Sequence, residues 1–201
     1  MKNQIIFILF FLSMGAHAQR VGGSCEGCEA VFEYGSKKLT NIDTLPDFKE
    51  TGPKLEISGT IYQVDGKTPA KNVILYIYHT DQKGVYPQRG NETGWAKRHG
   101  YLRGWIKTNA DGKYKFYTLR LASYPNSRAP QHIHPVIKEP NKNEYYIDEF
   151  LFADDPFLDE NEKANQQNRG GSGIIALTKK QDGTWVGKRD IVLGVNIPNY
   201  K

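Results

Sequence analysis

Cysteine is nearly absent: the 201 residues hold two, both in Cys25-Glu26-Gly27-Cys28. A zinc site would need two further ligands, and a redox-active CxxC belongs at the start of a helix after a strand, a βαβ context not found around residues 25–28. In an oxidising compartment the pair is expected to close a small local disulfide, with intermolecular pairing or free thiols as the alternatives. Long runs of one charge are missing too. The net charge is +5, but basic residues come singly or in pairs such as Lys37-Lys38 and Lys97-Arg98. That reads as a solvated surface with a bias toward acidic partners, not as a nucleic-acid-binding stripe. Internal repeats and signs of a second domain are also lacking.

Apolar runs long enough to span a membrane are absent as well. The longest, Ile5 to Met14, has about ten residues against the roughly 20 that a spanning helix needs. Lys2 precedes it and the small-residue site Ala16-His17-Ala18 follows, the pattern of a signal peptide over residues 1–18. The mature chain is then expected to begin at Gln19 and to be secreted or periplasmic, without membrane insertion. Cys25 lies too far past that site for a lipid-anchored terminal cysteine.

About 183 residues remain, the size of one domain with a real core. Twelve tyrosines, nine phenylalanines and many glycines and threonines favour strands. Residues 19–52 read as a polar N-terminal arm carrying the CxxC, and 53–201 as the domain proper. Strand patterns cover residues 55–61, 72–79, 101–107, 113–120, 131–138, 144–152, 173–177 and 184–193, with Asp-Gly turns at 65–66, 111–112 and 182–183. The second of these predicts a hairpin between 101–107 and 113–120. Asp155-Pro156 reads as the cap and first position of a short polar helix ended by Gly170-Gly171. The expected fold is all-β: an antiparallel β-sandwich of about eight strands with one short helix.

The chemistry concentrates between Gly84 and His134. In Pro130-Gln131-His132-Ile133-His134, alternation along a strand puts both imidazoles on one face, roughly 7 Å apart at Cα. That arrangement suits one metal ion, although a lone strand histidine is more often a packing or surface residue. Tyr86 and Tyr124, in Gly84-Val85-Tyr86 and Tyr124-Pro125, would count for little alone in a tyrosine-rich chain. They gain weight from the Arg103-Gly104…Thr108…Asp111-Gly112-Lys113-Tyr114…Phe116…Thr118 run between them.

This order over about residues 55–152 resembles the intradiol ring-cleavage dioxygenases, non-haem ferric enzymes that open catechols between their hydroxylated carbons. The resemblance implies Fe(3+) as cofactor and Tyr86, Tyr124, His132 and His134 as its protein ligands. It makes Tyr124 the ligand displaced by substrate, and a small-molecule catechol and dioxygen the reactants, giving a muconate-type diacid. The donor types fit: a phenol of pKa near 10 ionises at neutral pH only beside a strong cation, and two tyrosinates with one hydroxide balance a +3 ion. Departures touch the surroundings. Family members commonly carry an arginine three residues before the first histidine; that position is Ala129, and Arg128 is the catalytic candidate to replace it. Glu149 stands where the family often has a glutamine beside the iron, and either nears the substrate or is a surface strand residue. Arg103 is a further candidate near the substrate, with Arg98 as another cation. The polar segment Pro87–Gly100, with His99, is either a solvent loop or a wall of the pocket. Two other classes remain open: a non-catalytic β-sandwich binding module, and an envelope metal-binding protein using His132 and His134.

Overall fold

The computed structural model describes residues 20–201, so the signal-peptide reading of residues 1–18 lies outside the described residues. Among these, twelve strands form: β1 (Ile42–Thr44), β2 (Lys54–Tyr62), β3 (Ile74–Tyr78), β4 (Arg103–Lys107), β5 (Lys113–Leu119) and β6 (His132–Lys138). They continue as β7 (Tyr145–Tyr146), β8 (Phe150–Phe152), β9 (Ile174–Ile175), β10 (Leu177–Lys179), β11 (Trp185–Lys188) and β12 (Ile191–Val192). The first sheet runs β1-β5-β2-β11-β10 with β12 also on β2; the second runs β4-β3-β6-β8-β9 with β7 also on β6. The two six-stranded sheets make the expected all-β sandwich.

Alternation builds the core. Leu55, Ile57 and Ile61 of β2 and Phe116 of β5 face Leu75 and Ile77 of β3 and Ile133 and Ile137 of β6, all fully buried. Burying each such side chain contributes roughly 1.5–3 kcal/mol. A second apolar cluster lies on the outer face of the second sheet, where the arm's Cys28, Ala30 and Val31 cover Tyr76, Trp105 and Val136. Trp105 Nε1 donates to Ala30 O at 3.1 Å, which fixes the arm there. Farther along, β1 pairs in parallel with β5. Among the described residues no helix is long and apolar enough to cross a membrane.

Several details of the sequence expectation are corrected. The sheets are mixed, because β1–β5, β2–β11, β2–β12 and β8–β9 pair in parallel. The Asp111-Gly112 turn does not close a hairpin: β4 pairs with β3, while β5 pairs with β2. The chain instead crosses between sheets there, held by Thr108 Oγ1 donating to Ala70 O and by Ile61 N donating to Gly112 O. The 182–183 turn does close one, between β10 and β11. Strand 144–152 is split because β7 and β8 pair with different parts of β6. Strand 184–193 is broken at Arg189-Asp190, where Thr60 N donates to the Asp190 carboxylate. Two short helices form instead of one, α1 (Ala96–His99) and α2 (Glu160–Ala164). Asp159 caps α2; Asp155 is taken up by the backbone N–H groups of Gln131 and Phe157.

Candidate metal centre

Strand β6 puts His132 and His134 on the outer face of the second sheet while Ile133 points into the core. Their rings lie 4.6 Å apart, nearly perpendicular. Tyr86 follows β3 by way of a turn in which Gly84 N donates to Asp81 O and Asp81 N donates to Val85 O. Tyr124 precedes β6. The two tyrosine loops are bound to each other: Thr80 Oγ1 and Ala122 N span them at 2.7 and 3.0 Å. Only glycine fits at position 84, where φ is +76° and a Cβ would stand 2.0 Å from Ser123 O.

The four polar tips converge. Tyr124 Oη lies 2.6 Å from Tyr86 Oη, 3.0 Å from His132 Nε2 and 3.3 Å from His134 Nε2. Tyr86 Oη is also 2.9 Å from His134 Nε2. Each imidazole is backed on its other nitrogen, His132 Nδ1 by Pro130 O at 2.6 Å and His134 Nδ1 by the Glu149 carboxylate at 3.6 Å. A proton held on Nδ1 leaves the Nε2 lone pair facing the cluster, the tautomer a metal requires. Burial, then the neighbouring His134, lower the pKa of His132, which favours this neutral ligand form.

Burial pushes both phenols up, and the hydrogen bond to Tyr124 pushes Tyr86 further. Phenols so placed ionise at neutral pH only beside a strong cation. Two hard oxygen donors with two imidazoles fit ferric iron. Among the described residues no group of three or more His, Cys, Asp and Glu gathers as an alternative. Burial raises the Glu149 carboxyl, but hydrogen bonding and the charge of His134 outweigh it and hold it at about 2.

The candidate cations lie elsewhere. Arg128 is exposed, its guanidinium 5.4 Å from the centre of the Phe157 ring. Arg103 donates to Glu33 at 2.6 Å and lies over Trp105. Arg98 pairs with Glu26 of the arm. None of the three makes a polar contact with the four converging side chains. His99 is not a fifth donor: its Nδ1 lies 2.9 Å from Tyr76 Oη.

Tyr78 went unnoticed in the sequence, as one aromatic among many. Its ring is sandwiched between His99 at 3.8 Å and His134 at 4.6 Å, both nearly parallel to it. The signal that marks it is register, since Tyr78 is the cross-strand partner of His134. The arm was equally illegible: Ser24 to Gly27, with the Cys25–Cys28 disulfide, lines a cavity of about 190 Å³ that also touches Tyr78, His134 and Glu149. A second cavity of about 200 Å³ lies between Glu26, Tyr86, Trp95 and Arg98, so α1 and its approach form a wall.

Residues 31–184 match the family model described as Dioxygenase. Among curated proteins, catechol 1,2-dioxygenase 1 of Acinetobacter lwoffii is 35% identical over 118 residues, 58% of this chain and 36% of that protein. The protocatechuate 3,4-dioxygenase beta chain of Burkholderia cepacia is 23% identical over 62% of this chain and 58% of its own length. The chain therefore spans about a third to under two thirds of these relatives. Among solved structures, the dioxygenase domain of a dioxygenase carbohydrate-binding protein fusion from Streptomyces sp. SirexAA-E superposes with a TM-score of 0.58 at 22% identity, covering 78% of this chain and 91% of that one. Catechol 1,2-dioxygenase from Acinetobacter sp. ADP1 gives 0.57 at 19% identity, covering 77% and 57%. At these identities the structural likeness concerns the fold.

Proposed function

The chain belongs to the intradiol ring-cleavage dioxygenase family, and from that premise we propose that it is a ferric-iron-dependent dioxygenase of catechol-type rings. The observation that carries the reading is the convergence of Tyr86, Tyr124, His132 and His134 on one point. These four would hold Fe(3+). When bound, the iron would keep the phenols ionised at neutral pH and activate a catecholate toward dioxygen.

The residues themselves supply the rest. Tyr124 touches all three other donors and is half-buried, so it sits where an arriving catechol hydroxyl must go. As a phenolate it is the base for one catechol proton. Having taken that proton it keeps it, because burial favours the neutral phenol. His132 and His134 would serve as the imidazole donors, oriented by Pro130 O and Glu149. Tyr78 holds the His134 ring by stacking, and the arm and α1 restrict water from either side. Both oxygen atoms of O2 are expected in a ring-opened diacid. We further propose export, on the strength of Lys2, the Ile5–Met14 run and Ala16-His17-Ala18.

Three measurements test this reading. Purified protein should contain iron, show tyrosinate-to-iron visible absorption that shifts with catechol, and convert catechol and labelled dioxygen to a doubly labelled diacid. A colourless zinc or copper protein would end the iron assignment, and a semialdehyde product would mean cleavage outside the diol. Spectral shifts without turnover across a wide panel would favour a binding module. N-terminal sequencing of protein recovered outside the cytoplasm should begin at Gln19.

A further inference from the structure

One buried polar chain lies apart from the donor cluster yet beneath the loops that carry it. His79 follows β3, and its imidazole reaches across the sandwich to Thr118 of β5. Its Nδ1 lies 2.7 Å from Thr80 O, and its Nε2 lies 2.8 Å from Thr118 Oγ1. The Thr118 hydroxyl is in turn 3.1 and 3.3 Å from the two carboxyl oxygens of Asp47, in the 3₁₀ turn Pro46–Lys49 of the arm. Asp47 also accepts from Leu119 N at 3.3 Å. His79, Thr118 and Asp47 are 1%, 0% and 2% exposed, so the chain is sealed from bulk water.

The hydrogens in it can be counted. Three contacts join atoms that both carry lone pairs: Nδ1 with Thr80 O, Nε2 with Thr118 Oγ1, and Thr118 Oγ1 with Asp47. Each needs a hydrogen between its atoms. A neutral imidazole brings one, the threonine hydroxyl brings one, and an ionised carboxylate brings none. Two hydrogens cannot fill three contacts. The contact left empty would set lone pairs against each other in a dry interior, where an unmade hydrogen bond is costly.

We infer that the Asp47–Thr118–His79 chain holds one proton more than a carboxylate and a neutral imidazole would, and that it clamps the two tyrosine loops to the sandwich. Two forms fill all three contacts. In one, an imidazolium donates to Thr118 and Thr118 donates to a carboxylate; in the other, a carboxylic acid donates to Thr118 and Thr118 donates to a neutral imidazole. Burial, the largest influence, lowers the pKa of His79; Thr80 O, Asp47 and Asp81 act to raise it, and His134 to lower it. The clamp reaches the site through Thr80, whose carbonyl faces His79 and whose hydroxyl donates to Ala122 O at 2.7 Å. Asp81 O then takes the Ala122 and Gly84 N–H groups at 3.0 and 3.1 Å. The turn before Tyr86 and the loop before Tyr124 thus hang from residues 79–81. His79, Thr118 and Asp47 are positioning residues. What the loops are held for rests on the ferric reading above; the proton count and the clamp do not.

The test is nuclear magnetic resonance of the purified protein, with any bound iron replaced by diamagnetic gallium(III). At about pH 7.5, above the ordinary histidine range, the His79 ring nitrogens and the Asp47 carboxyl carbon are read together. Two protonated ring nitrogens beside a carboxylate, or one beside a carboxylic acid, is the expected result. One protonated ring nitrogen beside an ionised carboxyl overturns the shared proton. Amide exchange reads the clamp at Asp81 and Ala122, whose N–H groups bond to Val85 O and Asp81 O. Thr118→Val should speed exchange there about tenfold, the worth of one hydrogen bond, and Thr118→Ser, which keeps the hydroxyl, should restore the wild-type rate. Unchanged exchange in Thr118→Val overturns the clamp. Should that variant fail to fold, Asp47→Ala cuts the chain at its other end and is read in the same way. In iron-loaded protein the tyrosinate absorption should weaken in Thr118→Val and return in Thr118→Ser. If the wild type binds no iron, the ferric reading fails, while the proton count and the exchange rates still decide this inference.

Discussion

On the outer face of the first sheet, Glu56 lies between Lys115 at 2.9 Å and Lys180 at 2.6 Å, and Lys113 donates to Thr60 at 2.8 Å. On the outer face of the second, the corresponding positions hold Tyr76, Tyr78, Trp105, His132 and His134, covered in part by the arm. The inner faces of both are the same kind of surface, buried Leu, Ile and Phe meeting across one core. The difference shows where a sandwich has freedom. Inward positions are committed to packing, whereas the outward register can carry either charges that water solvates or polar rings that must be shielded to be of use. The second face acquired a cover, and with it a site.

The comparison breaks most completely if the donors are removed. Tyr86→Phe or His134→Ala should lower iron occupancy and ring cleavage by more than about a hundredfold, since even outer partners of a metal site are worth 10–100-fold. Circular dichroism should stay that of the β fold, because both side chains lie outside the core. Glycine substitutions sharpen the contrast next. Gly84→Ala forces a Cβ toward Ser123 O and should part Tyr86 from Tyr124, so that iron binding and visible absorption fall. Gly59→Ala, on the first sheet, puts a Cβ 1.7 Å from Arg189 O. It should cost about 1–3 kcal/mol in denaturant unfolding, yet leave the iron stoichiometry of the folded fraction unchanged.

A smaller effect is expected from Cys25→Ser with Cys28→Ser. The closed loop is short, so the loss in stability should be ~2 kcal/mol or less, while the apparent KM for catechol rises because the cavity wall loosens. The smallest belongs to Glu56→Gln. Burial raises the Glu56 carboxyl, but the hydrogen bonds and charges of Lys180 and Lys115 outweigh it and lower its pKa below the ordinary 4.5. A lowered folded-state value means that the contribution is present above about pH 4.5 and is lost as pH falls through the lowered value. The lysines are partly exposed, so the difference between wild type and variant should be no more than about 1 kcal/mol at pH 7 and should vanish in acid. Thermal unfolding at several pH values measures it.

What could be read from the sequence was whatever depended on neighbours along the chain. Alternation predicted that His132 and His134 share a face, and Asp182-Gly183 reads as a turn, which in the structure joins β10 to β11. The same dipeptide at 111–112 misled, because a turn signal reports the bend and not the partner. Lys113–Leu119 finds β2, and Arg103–Lys107 finds β3, through hydrophobic faces that local pattern does not order. The helix expected after Asp155 begins after Asp159, because Gln131, 24 residues away, claims the earlier carboxylate. Tyr78 and Ser24–Gly27 stayed invisible for a related reason. Their part in the site comes from cross-strand stacking and from an arm with no periodicity of its own.

The parallel pairing of β2 with β11 and β12 has a consequence in time. Thr60 N and the Asp190 carboxylate that receives its hydrogen bond are 130 residues apart, and Leu55 waits for Trp185. A growing chain can pair β2 with β5 early, but the other edge of β2 has no partner until residues 185–192 have been synthesised. Contacts at such sequence separation slow folding and leave a bare strand edge in the interval, the condition under which chains associate with one another. Completion of the first sheet thus belongs to the finished polypeptide, and a ribosome stalled before Trp185 would hold a chain ready to aggregate.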